Sequence, residues 1–75
     1  MDDAAADRLQ VGDRVISKTN KVRTVTRVIR GRHDKVRAVY LTKLFKVKRG
    51  IFQIGESCVE RWTLKHEYER YDGPE

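Results

Sequence analysis

The sequence predicts an all-β fold, a small barrel of four to five antiparallel strands with flexible acidic termini. Three observations predict it. Runs rich in Val, Ile and Thr recur between residues 10 and 65, and these residues suit a pleated, half-buried surface. Short stretches of turn chemistry separate the runs: Gly12-Asp13, Lys18–Lys21, Gly31–Asp34 and Arg49-Gly50. The chain has 75 residues, enough for one domain and a modest core, and closing a sheet on itself removes the edges that invite aggregation.

The elements follow in order. Residues 1–9 are acidic and alanine-rich and read as a frayed leader, with at most a helical turn at "AAADRL". The barrel spans residues 10–65. Its first strand lies in "LQVGDRVISK", where Val11, Val15 and Ile16 follow or flank the Gly12-Asp13 turn. "KTNK" (18–21) is a tight polar turn. "VRTVTRVIR" (22–30) is a strand whose alternation gives neither face a purely apolar character, so a twist or bulge is expected inside it. "GRHD" (31–34) turns the chain into a second long strand, "VRAVYLTKLFKV" (36–47).

"KVKRGIFQI" is a hairpin closed at Arg49-Gly50. A two-residue loop sets Val47 opposite Phe52 and Phe45 opposite Ile54; a three-residue loop with Gly50 in the left-handed position moves the register by one. The hydrophobic pairing favours the first. "GESC" (55–58) reads as a turn and "VERWTLK" (59–65) as the last strand. Residues 66–75 are a polar tail; Leu64 before it, with Tyr68 and Tyr71, could line one side of a short helix, and Gly73-Pro74 ends any order.

Charge is distributed unevenly. Residues 18–49 hold twelve Lys/Arg against Asp34 alone, while residues 1–17 carry two Arg and four Asp and residues 50–75 carry three basic and six acidic groups. A solvated surface ordinarily mixes both signs, and repulsion among so many cations costs stability in a small domain. A polyanionic partner is therefore expected, and phosphates are the commonest. The cations expected to hold a nucleic-acid backbone are Lys18, Lys21, Arg23, Arg27, Arg30, Arg32, Lys35, Arg37, Lys43, Lys46, Lys48 and Arg49. Under strict alternation Arg23 and Arg27 share one side of their strand. Tyr40 and Trp62 are the candidates for base stacking. Phe45 and Phe52 are expected in the core, and Trp62 mostly buried at the barrel seam, which leaves few free rings and favours contact with the phosphate backbone over base stacking. The acidic ends are expected either to aid solubility or to fold back over the basic face.

Other chemistry finds little support. Cys58 is the only cysteine, so no internal disulfide forms, and a lone thiol fits a reducing compartment. His33 and His66 lie far apart, and no Cys/His pattern has zinc spacing. There is no Ser/His/Asp constellation, paired carboxylate in an apolar setting or Gly-rich phosphate loop, so no enzyme and no cofactor is expected. No basic start with an apolar run marks a secretory signal, and no stretch approaches the ~18 apolar residues of a membrane span. The expectation is a cytoplasmic protein without a membrane partner. A second expectation is an interaction module that docks an acidic protein, as in a phage, plasmid or transcription assembly.

Two resemblances bear on the fold. "VGDRV" (11–15) resembles the first strand of SH3-like small barrels, including KOW and Tudor-like modules. This implies an SH3-like barrel, with a small OB-like barrel as the alternative. A longer similarity, over residues 12–62, is to plasmid-encoded type II dihydrofolate reductase: "GDRV" (12–15) and "FQIGESCVERW" (52–62) stand at nearly the same separation as in that family. The family is a tetramer that binds folate and NADPH in a central pore through a Gln-Ile-Tyr run and a Lys near the first strand. Gln53 and Ile54 match the run. Gly55 stands at the Tyr position and Ser17 at the Lys position, with Lys18 one residue on. The resemblance implies a shared fold, and the reductase activity is the third functional expectation.

Overall fold

A computed structural model describes residues 1–74, with Phe45 described through its backbone alone. The expected side-chain position of Phe45 in the core therefore lies outside the described residues. The elements are α1 (Asp3–Asp7), β1 (Arg14–Ser17), β2 (Val22–Arg30), a 3₁₀ turn (Arg32–Asp34), β3 (Val36–Lys48), β4 (Ile51–Glu60), α2 (Arg61–Glu67) and β5 (Tyr68–Arg70). The strands make one antiparallel sheet in the order β4-β3-β2-β1-β5. The all-β fold class expected from the sequence is the one observed.

Local chemistry accounts for the turns. Gly12 sits at φ 98°, where a side chain would strain the backbone, and its N–H donates to Val25 O at 2.9 Å. Asn20 takes the left-handed conformation at φ 62° in the Lys18–Lys21 turn, a role Asn tolerates. Ser17 N–H donates to Lys21 O and Asn20 N–H to Ser17 O, closing that turn.

One face of the sheet is the inner one. Val15, Val25, Val39, Leu41 and Val59 line it, and Ala6 of α1, Leu9 just beyond that helix and Leu64 of α2 pack with them and with Val36 in a single cluster. All but Val59 in this cluster are fully buried, and none of the nine is aromatic. Fully burying a Val or Leu is worth about 1.5–3 kcal/mol, so the two helices contribute materially to a small core.

Several expectations need correction. Residues 1–9 are not a frayed leader: Ala6 and Leu9 are core residues, and the Met1 ammonium donates to Lys65 O at 2.6 Å and Tyr68 O at 2.9 Å. "GESC" is not a turn. Gly55 to Cys58 pair in unbroken register with Lys43 to Tyr40, because the long ladder satisfies their backbone groups and overrides the local Gly/Ser preference. The last expected strand is divided: 59 and 60 end β4 and residues 61–67 are helical, since Leu64 enters the core from α2. The tail is not a helix beyond that point. Tyr68 to Arg70 pair with Ser17 to Val15, and Arg14 Nη2 donates to Gly73 O at 2.7 Å.

The hairpin closes at Arg49-Gly50 with Gly50 left-handed and the pairing moved by one residue, the register of the alternative expectation. Gly50 is left-handed at φ 76° while Arg49 is not, so the turn is not of the primed kind whose twist matches the strands. A bulge at Val47 absorbs the difference. Lys46 then faces Phe52, Phe45 faces Gln53 and Leu44 faces Ile54, in place of the expected Val47/Phe52 and Phe45/Ile54 pairs. Beyond Thr42, β3 is paired with β4 alone, and the hairpin continues as a two-stranded ribbon. Leu44, Val47, Ile51, Phe52 and Ile54 are exposed on it.

Candidate functional site

The unbroken register between 38–46 of β3 and 52–60 of β4 assigns a second, outer face to this sheet. Val39/Val59 and Leu41/Ser57 point to the core side. Ala38/Glu60, Tyr40/Cys58, Thr42/Glu56, Leu44/Ile54 and Lys46/Phe52 point away from it. On β2 a register shift between Val25 and Arg27 changes the alternation. Val25 is opposite Leu41 on the core side, and Arg27 is opposite Tyr40 on the outer side. Arg23 and Arg27 therefore lie on opposite faces, and the expectation that they share one fails at the bulge. Arg27 Cζ stands 5.2 Å from the centroid of the Tyr40 ring, a cation–π arrangement.

The other cations fall into local groups. Arg32, Lys35 and Arg37 line an open cleft of about 730 Å³ with Ile29, Ala38, Cys58 and Trp62. Lys21, Arg23 and Lys43 share a hollow of about 340 Å³ with Leu44 at the root of the ribbon, and Lys18 lies near it in the adjoining depression. Arg23 also donates to Thr42 O at 2.8 Å. Lys46 is on the outer side of the ribbon, and Lys48 and Arg49 are at its tip. Arg30 stands apart. Its guanidinium donates to the carbonyls of Asp7, Leu9 and Asp34 and pairs with the Asp34 carboxylate at 3.7 Å, so it ties the N-terminal segment to β2.

Five carboxylates of the two ends serve the fold through ion pairs. Asp7 Oδ1 accepts from Arg61 Nη1 at 2.6 Å, and Asp3 Oδ1 from Arg61 Nη2 at 2.9 Å. Asp3 also pairs with Lys65 at 2.8 Å, Asp13 and Asp72 with Arg70, and Glu69 with the N-terminal ammonium. All these cations lie outside residues 18–49. The ends do fold back, but onto one another and α2, which corrects the expectation that they cover the basic face. The hydrogen bonds to Lys65 and Arg61 draw the Asp3 carboxyl down from 3.8 to about 2. Arg61 likewise holds Asp7 below its usual value, and the two carboxylates push Arg61 upward. Arg61 was legible only as a strand residue; its third bond, to Val36 O at 2.8 Å, identifies it as the link between α1, α2 and β3.

The aromatic residues are not where the sequence predicts. Trp62 is 68% exposed and borders the cleft, with His66 at 5.1 Å between ring centroids. Phe52 is 61% exposed on the ribbon. Both are corrections, and they share a cause: Val, Leu and Ala from the sheet and helices fill the core, and α2 turns Trp62 outward while Leu64 turns inward. Tyr40 is half-buried beneath Arg27. The signal that could have located Phe52 is the shared parity of Leu44 and Lys46 with Tyr40, which carries their partners Ile54 and Phe52 outward once Tyr40 is assigned to the outer face.

Of the residues that carry the reductase resemblance, Gln53 and Ile54 are exposed in β4 and Ser17 ends β1. No helix among the described residues is long and apolar enough to cross a membrane. Comparison with known proteins finds no matching family model, no matching curated protein and no matching solved structure.

Proposed function

We propose that this chain is a small, cytoplasmic, non-enzymatic protein that binds nucleic acid through its central cations, on a barrel of the SH3-like kind. The return of the chain through α2 to pair β5 with β1 supports that barrel type. The single observation that carries the function is the destination of the terminal carboxylates. Asp3, Asp7, Asp13, Glu69 and Asp72 are occupied by Arg61, Lys65, Arg70 and the N-terminus, so the positive excess of residues 18–49 keeps its attraction for an outside polyanion. A phosphate backbone meets it with one negative charge per nucleotide, and Arg offers each phosphate a planar fork of donors.

A mobility-shift titration with random-sequence duplex and single-stranded oligonucleotides tests this. Binding is expected at low salt, with log affinity falling linearly as log salt rises. Reversing Arg27 and Arg37 together to Glu is expected to flatten that slope by at least about 1.4–1.8, the effect of two phosphate contacts. Absence of any shift at low salt would sink the proposal. It would favour docking of an acidic protein, a reading to which the exposed apolar residues of the ribbon lend support. An NADPH-dependent absorbance change with dihydrofolate would overturn the non-enzymatic part.

A further inference from the structure

We infer that the outer face of β3–β4 is a platform for single-stranded nucleic acid, with bases stacking on Trp62, on the Arg27–Tyr40 pair and on Phe52. The inference rests on the nucleic-acid reading above and names the form of the polymer.

The rings share a side for reasons of register. Tyr40 and Lys46 are six residues apart on the outer face, about 20 Å along the strand, and Phe52 is directly opposite Lys46. At the other end the strip runs into the cleft that Trp62 borders beside Ala38 and Cys58. Among the described residues the buried core is aliphatic, so these rings are surplus to it, and leaving a Phe and the only Trp in water sacrifices their burial energy. A nucleobase offers each ring a flat π surface. In the middle of the strip the outermost layer is the exposed Arg27 guanidinium, which stacks bases as well as pairing with phosphate. A duplex hides its base faces in its own stack, whereas a single strand presents them.

The strip is also polarised across its width. Arg27 on β2 and Lys46 on β3 lie toward one side, and Glu56 and Glu60 on β4 toward the other, with Glu60 lining the same cleft as Arg32, Lys35 and Arg37. Phosphates are drawn to the β2–β3 side, and the two carboxylates face the bases, where they accept from exocyclic amino groups.

Trp62 is the sole tryptophan, so the wild-type protein reports on the site directly. Titration with mixed-sequence single-stranded DNA and RNA, and with duplex of the same length, is expected to quench Trp62 only with the single strands, and to give at least ten-fold tighter binding for one of them than for the duplex. Trp62→Ala and Phe52→Ala, both on exposed residues, are expected to weaken single-strand binding roughly five- to hundred-fold each and to leave duplex binding within about two-fold. Duplex binding as tight as single-strand binding, or an unaltered Trp62 spectrum at saturation, overturns the inference while the nucleic-acid reading stands. Absence of binding to any of the three polymers overturns both.

Discussion

Gly12 and Gly50 both require a left-handed backbone, at φ 98° and 76°, and a Cβ at either would meet no neighbouring atom. The cost of a substitution is therefore backbone strain alone, about 1–2 kcal/mol. Its consequence differs with position. Gly12 bonds to Val25 O beside the core, so Gly12→Ala is expected to lower the urea midpoint. Gly50 closes a ribbon tip that can open locally, so Gly50→Ala is expected to leave the global midpoint nearly unchanged and to speed amide exchange in residues 46–53. Equal midpoint shifts would show that the ribbon unfolds with the rest. Single residues were legible where their role is local. Gly12, Asn20 and Gly50 announce their turns, because φ is a property of the residue itself. Arg61, by contrast, gives no local sign that it will join Asp3, Asp7 and Val36, which are distant in the chain.

At the scale of elements, α1 is held to α2 by ion pairs that acid removes. The Asp3 carboxyl falls from 3.8 to about 2 on folding, so its contribution to stability is complete above 3.8 and disappears as the pH falls toward 2; the lowered Asp7 acts in the same direction. The melting temperature is expected to drop through that window, and Asp3→Asn is expected to flatten the drop and lower the neutral-pH value. A wild-type profile that is flat from pH 4 to 2 would contradict this. The strand limits of β2 and β3 were readable from their Val, Ile and Thr content, and the bulge in β2 was anticipated from its mixed faces. The division of 51–67 into a long strand and a helix was not. Gly55 and Ser57 carry turn chemistry, and only the ten-residue ladder with β3 outweighs it.

For the whole molecule, the governing quantity is an excess of like charge on a modest core. The ion pairs of the termini described above use cations outside residues 18–49 and so do not relieve the repulsion within that segment, where Arg30 pairs with Asp34. Salt shortens the reach of that repulsion to about 10 Å at 0.1 M. The melting temperature at neutral pH is therefore expected to rise between very low and moderate salt. A fall would mean that the surface pairs outweigh the repulsion, and would weaken the case for an unsatisfied cationic surface. The molecule is also elongated, with extents of 44, 24 and 19 Å, and a continuous outer strip along β3–β4 suits a linear polymer better than a compact ligand.

The sequence by itself determined the all-β class, the limits of β2, the turns at Gly12-Asp13, Lys18–Lys21, Gly31–Asp34 and Arg49-Gly50, and the concentration of cations between residues 18 and 49. These depend on side-chain shape, φ preference and charge, which each residue carries wherever it is placed. Only the tertiary structure decided which cations share a face, where the carboxylates of the two ends go, and that Trp62 and Phe52 stay in water. Those outcomes hang on one-residue register shifts at Thr26 and Val47 and on which distant side chains fill the core first, and a shift of one residue sends every following side chain to the opposite face.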